Sequence, residues 1–220
     1  MDVPTAVAVR SPTVAEELVH ALTHGLGAIL AVGVLATLVG GAALHGSAMT
    51  VVATAVFGIS LVLVYVSSTV YHAIPATLTR AKTLFQICDH VAIHLLIAGT
   101  FTPLSLCSIG GAWGWVLFGL VWAVAALGVV VETTSLRHSA RLSIALYVGA
   151  GWLGVVALPL LWSTLPPGAL PLIALGGLAY TAGVPFFLAD HARWTHALWH
   201  GFVLAGSGLH AAAIALVVLP

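Results

Sequence analysis

Charged residues are few in this chain, and their positions decide what it can fold into. No Asp, Glu, Lys or Arg occurs from 18 to 79, from 90 to 131, from 142 to 189, or from 194 to 220. A helix crossing the hydrocarbon core of a bilayer needs about 20 apolar residues. The gaps therefore hold two, two, two and one spans. The chain is 61% hydrophobic and 5% charged, with a mean hydropathy of +1.16, a balance foreign to water-soluble domains. The expected fold class is an all-α integral membrane protein, a seven-transmembrane-helix bundle.

Breakers divide the three long gaps: His45-Gly46-Ser47, Ser108 to Gly111, and Ser163 to Gly168 with its Pro166-Pro167 pair. Helices are predicted at 18–44, 48–73, 84–107, 113–132, 140–162, 169–188 and 195–218. Arg10, Arg80, Lys82, Arg137, Arg141 and Arg193 then all fall on one side, which predicts a cytoplasmic N-terminus and a C-terminus outside. Residues 1–15 read as a short disordered cytoplasmic arm and 16–220 as one transmembrane domain in the cell (inner) membrane. The acidic residues ahead of the first apolar run argue against a cleaved signal peptide. With 6 basic and 6 acidic residues there is no field to attract nucleic acid. Cys88 and Cys107 read as reduced packing residues.

Against this apolar background, His196-Ala-Leu-Trp-His200 stands out, because imidazoles four apart on a helix share a face. Ionisable groups in a membrane segment mark functional sites by default. The topology adds partners at the same predicted end: His72 closes the second helix and Asp89 opens the third. Asp89 lies seven residues beyond Lys82, and His196 and His200 lie three and seven beyond Arg193. At a rise of about 1.5 Å per residue, all of these stand roughly 5–10 Å from the basic rim. Three neutral imidazoles suit Zn²⁺, and three histidines with an open fourth position form a catalytic arrangement. Asp89 is expected to reach the metal through water, as acceptor and general base, kept ionised by a helix N-terminus. Ser68, one turn from His72, is a second candidate catalytic group, as hydrogen-bonding partner of that water or of a substrate carbonyl.

Plainer readings exist for each residue. His45, His94, His138, His191 and His210 read as loop or packing histidines. Asp89 also fits an N-cap or an interfacial partner of Lys82, and Ser68 fits a helix-packing hydroxyl. Glu17, His20 and His24 read as an N-terminal anchor, and the tryptophans near helix ends as an aromatic belt.

Taken together, these residues resemble the bacterial hemolysin III family, part of the wider progestin and adiponectin receptor-like group of seven-helix membrane proteins. The resemblance spans roughly 16–215. It rests on Glu16-Glu17 with Thr23-His24-Gly25, on Ser67-Ser68-Thr69-Val70-Tyr71-His72, on Asp89-His90 with Ile97 through Pro103, and on Gly151-Trp152. Gly176 through Tyr180, His196 through His200, Ala205-Gly206-Ser207 and His210 complete it. The resemblance implies a cytoplasmic N-terminus and zinc ligated by His72, His196 and His200, with Asp89 reaching it through water. It also matches Ser68 to a serine shared with membrane hydrolases that cleave a lipid amide. His20 departs from the family's usual Asn, and Phe101 from its commoner Tyr.

Three functions follow as expectations. The first is a zinc-dependent hydrolase of a lipid amide or ester, with a membrane lipid or fatty acyl group as substrate or ligand. The second is a non-enzymatic receptor-like sensor or regulator of membrane lipid homeostasis. The third, a pore-forming cytolysin, fits least well, since a pore wants polar lining through the whole bilayer and the ionisable residues gather at one end.

Overall fold

The computed structural model describes residues 10–189 and 192–219, all helix and connecting turn. The helices are α1 (Val14–His45), α2 (Ala48–Ala73), α3 (Thr79–Pro103), α4 (Gly111–Thr133), α5 (Ala140–Gly151), α6 (Leu153–Val156), α7 (Leu158–Thr164), α8 (Ala169–Leu188) and α9 (Thr195–Val218). A π-helical turn (Leu104–Ile109) continues α3, and a 3-10 turn (Ser135–His138) joins α4 to α5.

Local chemistry explains the boundaries. Thr13 and Ser47 each form a capping box, with Glu16 and Thr50 respectively, an arrangement that satisfies backbone N–H groups a helix start leaves open. Pro103 lacks the N–H that would continue the α-helical ladder, and the π turn follows it directly. Gly110 and Gly111 then reverse the chain at φ of 63° and 54°, values that other residues reach only under strain.

Among the described residues six helices, counting α3 with its π turn, are long and apolar enough to cross a membrane. The helix predicted over 140–162 is not continuous. It is broken into α5, α6 and α7 and bends by 58° between Val156 and Leu158, so a seventh span exists only as this bent unit. Pro159 sits in the first turn of α7. It cannot donate to the carbonyl four residues back, at Val155, and its ring crowds that carbonyl.

The α1 helix packs on α2 and α9, α2 on α3, α3 on α4, and α8 on α9. Phe57, Leu61, Val64, Leu96, Phe101, Val121, Leu161 and Ile214 form the shared core, while Leu22, Ile29, Val52, Trp113, Trp162 and Val156 face outward. Residues 1–9 of the expected arm and His191 lie outside the described residues. Arg10, which is described, is held to Glu16 by two hydrogen bonds of 2.8 and 2.6 Å. Glu16 also accepts from the Trp194 N–H, tying the start of α1 to the turn before α9.

Candidate metal centre

Helices α1, α2, α3 and α9 bring their polar residues together at one end of the bundle. His72 and His200 are buried and His196 is half-buried; one ligand atom from each lies within 4.8 Å of the other two. Their ring centroids are 5.1 Å (His72–His196), 5.1 Å (His72–His200) and 4.7 Å (His196–His200) apart.

Hydrogen bonding fixes which nitrogen two of these rings present. His72 Nδ1 lies 2.6 Å from Glu17 Oε2, and a carboxylate only accepts. Nδ1 of His72 therefore carries the proton and Nε2 carries the lone pair; that Nε2 is buried with no hydrogen-bond partner. Glu17 Oε1 accepts from Lys82 Nζ at 2.8 Å, so its charge is balanced, and Lys82 is itself held by the Tyr71 carbonyl at 2.8 Å. Thr23 Oγ1 lies 2.9 Å from the carbonyls of Val19 and His20, which only accept; with its single proton on either, it accepts from His200 Nδ1 at 3.1 Å. Nε2 of His200 is thus the unprotonated one. Carboxylate and hydroxyl partners of this kind orient metal-ligating imidazoles.

Ser68 is fully buried, and its Oγ lies 2.7 Å from His24 Nδ1. The His24 ring stacks on that of His200 at 3.5 Å and 9°. Asp89 is half-buried on α3, in electrostatic contact with His196 and His90 and in reach of Ser68. One expectation about it is corrected. The third helix begins at Thr79 rather than near 84, so Asp89 stands almost three turns inside it, beyond the reach of the terminal dipole. Lys82 pairs with Glu17, leaving Asp89 without the interfacial partner weighed for it.

Several participants escape sequence reasoning. Glu17 is a hydrogen-bonding partner of His72, and Thr23 of His200, contacts that the reading of this stretch as an N-terminal anchor does not contain. His20 is 3% exposed and lies among the three histidines. A second buried group sits on α3, α4 and α5. Glu132, 1% exposed, accepts from Tyr147 Oη at 3.1 Å, meets His90 Nδ1 at 3.3 Å and has His94 Nε2 at 3.9 Å. The signal was present, since Glu132 is a carboxylate at the end of an apolar span and His90 and His94 repeat the four-residue spacing of His196 and His200. His210, by contrast, is a packing residue held by the Ile173 carbonyl at 3.1 Å. Cys88 and Cys107 are free thiols.

Beside the polar end lies an apolar cavity of 220 Å³ between α3, the bent α5–α7 unit, α8 and α9. Its lining includes Ile97, Phe101, Tyr147, Trp152, Phe187 and Val203. Phe187 stands between cavity and site, its ring 6.3 Å from that of His196 and 6.5 Å from that of His90.

An apolar helix bundle with a buried histidine cluster and an adjoining slot defines a membrane protein with a candidate metal centre. Sequence comparison makes the class specific. Residues 13–211 match the family described as "Haemolysin-III related". Similar proteins include "Hemolysin-3" of Bacillus cereus, 40% identical over 94% of each chain, and "Hemolysin-3 homolog" of Bacillus subtilis (strain 168), 38% identical over 89% of this chain and 91% of that one. The human "Monocyte to macrophage differentiation factor" is 26% identical over 92% of this chain and 84% of its own. This chain belongs to the haemolysin-III-related family.

Proposed function

We propose that this chain is a zinc-dependent hydrolase of a lipid amide or ester, working near the cytoplasmic face of the cell membrane. The observation that carries the reading is the convergence of His72, His196 and His200, with two of the rings held so that Nε2 is free to ligate. A buried nitrogen lone pair without a partner is costly, and the orphaned Nε2 of His72 is what a cation would satisfy. An all-imidazole donor set suits zinc.

His72, His196 and His200 hold the ion, with Glu17 and Thr23 fixing the rings. When bound, zinc supplies Lewis-acid polarisation of a carbonyl and makes water easier to deprotonate. Asp89 would accept the proton of the attacking water at a carboxylate oxygen and return it to the leaving amine or alcohol as the C–N or C–O bond breaks, giving the free acid. Ser68 Oγ, set by His24, hydrogen-bonds the substrate carbonyl or that water. The apolar cavity takes an acyl chain, and Phe187 separates it from the polar end. The N-terminus faces the cytoplasm and the C-terminus the outside, in keeping with the positions of the six basic residues.

A regulator without chemistry, in which the ion holds α2 and α9 together, is favoured by one observation: His20 fills the space in front of the three rings. Two measurements decide. Elemental analysis of gently purified protein should find near-stoichiometric zinc that is lost in His196→Ala. Mass spectrometry of defined vesicles carrying amide- and ester-linked lipids should show turnover by wild type and none by His200→Ala. Bound zinc with no lipid species changed would overturn the hydrolase and leave the regulator.

A further inference from the structure

His20 enters the site from α1 and is 3% exposed, yet neither ring nitrogen has a hydrogen-bond partner. Glu17 Oε2 is 3.9 Å from Nδ1, beyond hydrogen-bond distance, and is already engaged by His72. A buried imidazole with both nitrogens unmet is unusual, and its surroundings show what would meet them.

The centroid of the His20 ring lies 4.9 Å from that of His72, 4.8 Å from that of His196 and 5.3 Å from that of His200. The other three separations are 5.1, 5.1 and 4.7 Å. Six nearly equal edges make the four rings the corners of an almost regular tetrahedron. The centre of such a figure lies about 3 Å from each corner, close to a Zn–N bond of roughly 2.0–2.1 Å plus about 1.1 Å from nitrogen to ring centre. Four imidazoles around one tetrahedral zinc would stand this way.

We propose that His20 is a fourth protein ligand, closing in the resting protein the coordination position that the three-histidine reading leaves open to water. The proposal rests on that reading and adds regulation to it. No hydrogen bond holds the His20 ring as it stands. Turning about Cβ–Cγ exchanges its nitrogen and carbon positions while the centroid stays in place. A nitrogen of His20 now falls instead within 4.8 Å of a carboxylate oxygen of Glu17 and a nitrogen of His72, a second three-residue group. A separate ion there is disfavoured, because Lys82 already neutralises Glu17 at 2.8 Å. A zinc with four protein ligands is closed in the manner of structural sites. Release of His20 would then be the step that admits water.

The test is X-ray absorption spectroscopy on the full chain loaded with Zn²⁺, and optical spectroscopy on the Co²⁺ form, with metal content and chelator competition measured alongside. The expected wild-type shell is four imidazoles around one ion. His20→Asn should keep the ion, show three imidazoles and one solvent oxygen, and bind at least about tenfold more weakly. His24→Asn should keep four imidazoles. If His20→Asn fails to fold, His20→Gln replaces it, and the wild-type shell still separates four imidazoles from three. Three imidazoles and an oxygen in wild type would overturn the role of His20 and leave the three-histidine site intact. Loss of an imidazole in His24→Asn would likewise overturn it. Two ions in wild type, one lost with His20, would overturn it in favour of a separate Glu17–His20–His72 site. Absence of metal from wild type, or metal unchanged in His200→Ala, would overturn both this inference and the proposed zinc site.

Discussion

His72 donates its Nδ1 proton to Glu17 across 2.6 Å, a contact joining the second helix to the first turn of α1. The bond decides which nitrogen His72 offers, and Lys82 steadies the acceptor from the other side. A residue 55 positions away in sequence thus sets the tautomer of a candidate ligand.

Replacing Glu17 with Gln should therefore weaken metal binding without abolishing it. Loss of an outer-sphere partner costs about 10–100-fold in affinity, and competition with a chromophoric chelator would measure it. Unchanged affinity would mean that His72 is not a ligand or is oriented by other contacts.

Asp89→Asn separates chemistry from architecture. The substitution preserves shape and removes the carboxylate proposed as proton acceptor. Zinc content should stay near the wild-type level while lipid turnover, followed by mass spectrometry, falls at least about 100-fold. Turnover that persisted with metal bound would assign the base elsewhere.

The apolar slot can be filled without touching the polar end. Gly177 lines the cavity, and a Cβ added there meets nothing within 4 Å. Gly177→Leu should leave zinc content unchanged and reduce both retention of an acyl lipid through purification and its turnover. Equal lipid retention would show that the chain binds elsewhere.

Gly128 lets α4 close on α3, because a Cβ at this position would run into the His94 ring. Overpacking of this kind costs about 1–3 kcal/mol, so Gly128→Ala should lower the thermal midpoint in detergent. The same measurement tests the buried carboxylate nearby: Glu132→Leu takes the carboxylate from His90 Nδ1 and leaves the Tyr147 hydroxyl only the His90 carbonyl at 3.3 Å, and should destabilise more than Glu132→Gln, which retains an acceptor.

Much of this architecture is legible in the sequence, because charge and lipid exclude each other. The helices over 48–73, 169–188 and 195–218 end where the charge-free gaps and breakers put them. The fifth span defeated that reasoning, since hydropathy measures length and not straightness and Pro159 acts only on the local ladder. The start of α3 was misplaced for a related reason: its first turn, Thr79 to Lys82, is polar and belongs to the helix all the same. Within the site, the imidazoles that share a helix face or one end of the bundle could be found by spacing. Glu17, Thr23 and His20 could not, since α1 reaches His72 and His200 only through tertiary packing, and nothing in the local pattern of α1 distinguishes them from an interfacial anchor.

The break at Ala157 gives the bundle two mechanical grades. The histidines ride on α1, α2 and α9, each an unbroken helix of 24 residues or more. The wall of the slot at α5–α7 is made of three short pieces whose longest is 12 residues. Backbone amides around Trp152 and Ala157 should exchange with solvent sooner than those around His72 or His200. The slot can then widen by yielding of the wall alone, while the distances among the four imidazoles stay as they are.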